Sequence, residues 1–156
     1  YHNGNDFEAR EKMMLGATLA GIAFSNASVA LVHGMSRPIG AIYHVPHGLS
    51  NAMLLPAVTE YSIPAAKKRY ADCARAIGVS MSGDTDDVAN KKLLSELVAI
   101  NKELNVPSPS EFGIDKTDFM QNLEVMAEQA IASGSPGNNP RVPESKEIME
   151  IYKLLW

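Results

Sequence analysis

Four side chains that could do chemistry together fall in one short stretch, HGMSRPIGAIYHVPHG: His33, Arg37, His44 and His47. A neutral imidazole offers a lone pair to a divalent ion, and it suits zinc, iron, copper or nickel. His33 and His47 are too far apart in sequence for the i, i+4 clamp of one helix, so two separate elements would have to bring them to one point. Spacing alone leaves two readings open, a two-histidine metal site or polar residues at a helix–loop junction. His44 lies on the intervening turn and is expected to face elsewhere, and His2, in the polar opening, is expected to face solvent. Arg37 is the sole arginine between Arg10 and Arg69. A guanidinium cannot give up its proton at working pH, so Arg37 cannot relay one. It can pair with a phosphate or a carboxylate, or stand as a surface arginine at a helix end.

The elements that must position these groups begin with an uncharged run. From Met13 to Met35 there is no Asp, Glu, Lys or Arg. A run of roughly 20 such residues is long enough to span a bilayer. Its composition of Ala, Gly and Ser, with Asn26 and His33 and no flanking Trp or Tyr, argues instead for a buried helix in a helical bundle. Gly16, Ala20, Ala23, Ala27 and Ala30 would let neighbouring helices approach closely. His33 is then expected at the C-terminal end of that helix, where the dipole favours a cation. His47 is expected just ahead of the next helix, whose N-terminal end disfavours imidazolium.

Downstream, Ser50 is a candidate cap for a helix starting at Asn51, Pro56 a kink or stop, Pro64 a first-turn proline and Gly78 a stop. Leu93, Leu94, Leu97, Val98 and Leu104 recur at helical spacing, as do Ile148, Ile151, Tyr152 and Leu155 near the C-terminus. NVPSPSEFGI reads as a loop and KTDFMQNLEVMAEQAIASG as one helix. No stretch alternates with period two. The expected fold is all-α, a bundle of about six or seven helices around a long buried apolar helix, with residues 1–156 forming a single domain.

Composition narrows the function classes. Hydrophobic residues at 46% against 21% charged supply one core and exclude a disordered chain. A net charge of −4 without a basic patch argues against a nucleic-acid partner. The run Lys67, Lys68 and Arg69 reads as a solvated helix face. The single cysteine, Cys73, excludes an internal disulfide, fits a reducing, cytoplasmic setting and is expected in the core. GSPGNN follows a helix rather than a strand, so it is not a dinucleotide fingerprint.

The segment AGIAFSNASVALVHGMSRPIGAIYHVPHGLSNAMLLPAV and the closing SGSPGNNPRVPESKEIMEIYKLLW resemble the iron-containing (group III) alcohol dehydrogenases, in their C-terminal helical domain of dehydroquinate synthase-like fold. The resemblance implies that His33 and His47 bind the catalytic ion, Fe2+ or Zn2+. It also implies that an intact enzyme interconverts an alcohol and an aldehyde or ketone with NAD or NADP. The family's other two ligands, an aspartate and a histidine, and its nucleotide-binding domain lie upstream of the motifs present here. Many relatives carry a histidine where this chain has Arg37. Phe24 and Val29 then become candidate lining for the alcohol pocket, with ordinary core as the alternative reading. The implied partners are a small-molecule alcohol or aldehyde and, because self-association is common in the family, a second copy. Two rival classes remain at this stage: a non-catalytic truncated helical module that acts by assembly with another chain, and a membrane segment.

Overall fold

In the computed structural model, residues 2–156 are described. Nine α-helices and two 3-10 turns follow one another, with no strand among the described residues. The all-α expectation holds. The apolar run, however, is two helices. α1 (Phe7–Ala27) starts on Asp6, whose carboxylate accepts from the Ala9 amide, and stops at Ser28. α2 (Leu31–Tyr43) departs at 105° to it. Among the described residues no single helix is long and apolar enough to cross a membrane.

α1 buries none of its residues. Phe7, Met13, Met14, Leu15, Leu19 and Ile22 all stand exposed, as do Ala20, Ala23 and Ala27, the alanines expected to pack against neighbours; Ala30, past the end of α1, is half-buried. The buried apolar helix at the centre of the bundle is α2, where Leu31, Met35 and Ile39 lose nearly all contact with solvent. It packs on α3 (His47–Ser62) and α8 (Leu123–Ala132), and α8 packs on α9 (Ser145–Lys153). Tyr152 of α9, fully buried, donates its hydroxyl to the Met35 carbonyl at 2.7 Å. That bond satisfies both polar groups inside the core, where either alone would cost about 1–3 kcal/mol. Phe119, between Tyr43, Tyr152 and Trp156, fills the aromatic end of the core.

α4 (Lys67–Ala76) and α5 (Asp86–Glu103) pair around a smaller cluster of Ala71, Ala74, Ala89 and Leu93. Cys73 lies on the outer side of α4 and is exposed, which corrects the core expectation: Ala71 and Ala74, at i and i+3, set the inward face, and position 73 falls off it. Lys67, Lys68 and Arg69 are exposed, as a solvated face requires. Gly78, at φ +82, ends the turn after α4 in a conformation that favours glycine. Pro56 neither stops nor replaces α3, which runs through it. A proline removes one helical N–H and so frees the carbonyl four residues back. That carbonyl, on Ala52, accepts from the Asn101 amide of α5 at 2.8 Å.

Two further expectations change. The expected loop around Pro109 contains the short α6 (Pro109–Phe112), closed by a capping box between Ser108 and Glu111. The expected long helix after Lys116 breaks at Asn122 into α7 (Lys116–Gln121) and α8. The Asn122 side chain donates to the Asp118 carbonyl and to the Tyr43 hydroxyl.

Candidate metal centre

His33 is the third residue of α2 and His47 the first of α3. Their rings meet with centroids 5.2 Å apart and planes tilted by 53°. The two elements do converge on one point, but from a different direction than the sequence suggested for His33. It sits in the first turn of α2, not at the last turn of a long helix, because the chain breaks at residues 28–30. Both histidines therefore stand at helix N-termini. The His33 pKa lies below its ordinary value. Partial burial is the main cause, followed by the neighbouring His47 and then the Arg37 guanidinium one turn along α2. A neutral ring is a ring able to coordinate.

α3 begins at His47 rather than at Asn51, with Pro46 as the residue before it. Ser50 does not cap it. The Ser50 hydroxyl donates instead to the His47 carbonyl at 3.0 Å and to the Ser36 carbonyl at 3.4 Å, which ties α3 to α2 beside the pair. Asn51, one turn on, donates its amide to His47 Nε2 at 3.1 Å. Sequence reasoning missed Asn51 as a neighbour of the pair; the i, i+4 spacing from His47 was the available signal. Its Oδ1 is buried with no partner.

A cavity of about 560 Å3 opens beside His33. Phe24, Val29, Val32, Leu55 and Val58 make its wall largely apolar, and Thr59 and Asn139 add polar groups. The Phe24 ring centroid is 6.5 Å from that of His33. Both sequence candidates for a substrate wall, Phe24 and Val29, thus lie on one cavity with a candidate ligand. Phe24 is half exposed, so ordinary core does not describe it. Arg37 is exposed on α2. His44 ends α2 in the left-handed region, exposed, and His2 is exposed near the N-terminus.

The donor chemistry fits a divalent ion in kind: two imidazoles on separate helices. Among the described residues no third His, Cys, Asp or Glu joins them to form a group of three. Two helix N-termini also present partial positive charge to that point, so a dication there would call for an anionic ligand beside the imidazoles.

Comparison with known proteins supplies the frame for this geometry. The sequence profile described as "Fe-containing alcohol dehydrogenase family, C-terminal" matches residues 1–156. The chain is 36% identical to the lactaldehyde reductase of Escherichia coli (strain K12) over 152 residues, covering 97% of this chain and 39% of that protein. It is 34% identical to the NADPH-dependent butanol dehydrogenase of Clostridium saccharobutylicum, with the same coverage of each. Its fold overlays a crystal structure of 1,3-propanediol oxidoreductase with a TM-score of 0.91 at 31% identity, over 98% of this chain and 39% of that one. An alcohol dehydrogenase from Oenococcus oeni overlays with a TM-score of 0.90 at 31% identity, over 99% and 39%. The chain spans about two-fifths of the length of these relatives. A helical bundle that brings His33 to His47, matched from end to end by that profile, belongs to the Fe-containing alcohol dehydrogenase family, as its C-terminal domain.

Proposed function

We propose that this chain supplies two imidazole ligands, His33 and His47, to the divalent ion of an alcohol dehydrogenase that interconverts an alcohol and an aldehyde or ketone with NAD or NADP. The observation that carries the reading is the 5.2 Å approach of the two rings from different helices, with His33 lining an apolar cavity. Iron, with zinc as the substitute, suits imidazole donors. When bound, the ion supplies Lewis acidity at the substrate oxygen, while the nicotinamide carries the hydride.

The residues present divide the remaining work. Partial burial, with His47 and Arg37 beside it, favours the neutral, coordinating form of His33. The Asn51 amide holds the His47 ring in place until an ion competes for its nitrogen. Phe24 and Val29 exclude water from one side of the cavity, which favours a short aliphatic chain over a charged one. Arg37, permanently charged and exposed on the ligand helix, offers a site for a cofactor phosphate or a substrate carboxylate but no proton. Two further ligands, one of them anionic, and the nucleotide-binding domain are assigned to the part of the relatives' length that this chain does not span.

The test uses the full-length protein. Metal analysis should find about one iron or zinc per chain, and NAD(P)-linked oxidation of short alcohols should fall at least a hundredfold on exhaustive chelation and in His47→Ala. Activity that survives both would remove the reading. A second reading, a helical module acting by assembly with another chain, is favoured by the uncovered apolar residues of α1. It predicts tight partner binding that is indifferent to metal.

A further inference from the structure

The geometry points to Asn138 as a positioning residue for His33, holding the strained elbow between α1 and α2 so that His33 meets His47. This rests on the reading of that pair as metal ligands.

Ser28, at the elbow, adopts φ 66 and ψ 176. That region is essentially reserved for glycine, because a Cβ there crowds the backbone. A non-glycine residue stays in such a conformation only when its surroundings hold it. The hold comes from far along the chain. The Asn138 amide donates to Ser28 Oγ at 3.2 Å and to the Val29 carbonyl at 3.0 Å. Val29 precedes the first helical carbonyl of α2, that of Ala30, which accepts from Gly34. The Val29 carbonyl therefore lies outside the α2 ladder and is free to take a side-chain donor.

Asn138 ends the 3-10 turn Ser135–Asn138. The same turn grips α2 a second time: a Cβ built on Gly34 would lie 2.9 Å from the Pro136 ring. Val29 and Gly34 bracket His33, so one short turn fixes the chain on both sides of it. The pair of contacts sets where α2 begins, and hence which way its third residue points. The elbow also carries Phe24, on the last turn of α1, to within 6.5 Å of the His33 ring.

If Asn138 acts by holding Ser28, glycine at position 28 should make it dispensable. The full-length protein, stripped of metal, is titrated with Co2+, read by its visible ligand-field bands. Asn138→Ala should weaken Co2+ binding tenfold or more and alter those bands, in the range found when a group supporting a metal ligand is lost. Asn138→Asp, which keeps the size but removes both donor hydrogens, should do the same. Ser28→Gly should bind as wild type does, and Ser28→Gly with Asn138→Ala should recover most of the lost affinity. Wild-type affinity in Asn138→Ala, or failure of Ser28→Gly to rescue it, would overturn the inference while leaving the ligand pair standing. If wild type takes up no Co2+, or His47→Ala binds as tightly as wild type, the ligand reading fails and this inference falls with it.

Discussion

The His33 ring illustrates how a single residue's surroundings decide its use. Burial, His47 and Arg37 all push its pKa down from 6.5. Because the folded value is depressed, the neutral ring contributes its full share of stability above the unfolded pKa, and that share is lost as pH falls through the folded value. Metal-free protein should therefore lose stability as pH drops below about 6.5, and His33→Gln should flatten that slope; thermal unfolding across pH 7.5 to 5 measures both. An unchanged slope in the variant would show that His33 is not the group responsible. Arg37 is part of the cause, so its positive charge makes a protonated His33 less favourable than a neutral residue there would.

At the level of elements, the sequence conveyed the helices but not their breaks. Periodicity located α9, where Ile148, Ile151 and Tyr152 share the buried face, and α5, where Leu93 and Leu97 of the expected set turn inward while Val98 is exposed. It could not locate the elbow at Ser28. No Pro or Gly marks that spot, and the hydrogen bonds that hold it come from Asn138, 110 residues away. The same blindness placed His33 at the wrong end of a helix. The spacing of His33 and His47 required convergence of two elements, and the structure brings them together, yet Asn51 and Asn138 went unseen because their roles depend on packing. Gly34 offers a direct test of how closely α2 is held. An alanine there would press on the rigid Pro136 ring and force the helix away from the turn, at a cost of about 1–3 kcal/mol. A drop in thermal midpoint together with weaker Co2+ uptake in the full-length protein is the expected outcome; a midpoint equal to wild type would mean that the turn yields.

For the whole molecule, the contrast between α1 and the rest matters most. The core gathers α2, α3, α8 and α9, whereas α1 projects with Phe7 at 80% and Leu19 at 57% exposure. An apolar surface of that extent is rarely left to water. Produced alone, the 156-residue chain should self-associate in sedimentation experiments, should exchange its α1 amides far faster than those of α2, and should show no NAD(P)-linked turnover. Slow exchange throughout α1 in a monomer, or measurable turnover, would contradict this. The all-α core was legible because apolar residues recur at helical spacing in several segments and no stretch alternates with period two. That spacing did not disclose which apolar run lies uncovered, because hydrophobicity is a property of a segment and burial a property of its neighbours.

The amide of Asn101 on the Ala52 carbonyl acts as a strut between the α4–α5 hairpin and the helix that starts at His47. Where Pro56 leaves α3 one donor short, that bond fills the missing rung and adds to the packing of α3 on α2, α5 and α9. The helix that carries His47 is thus tied to α5 through a backbone carbonyl that has no helical donor of its own.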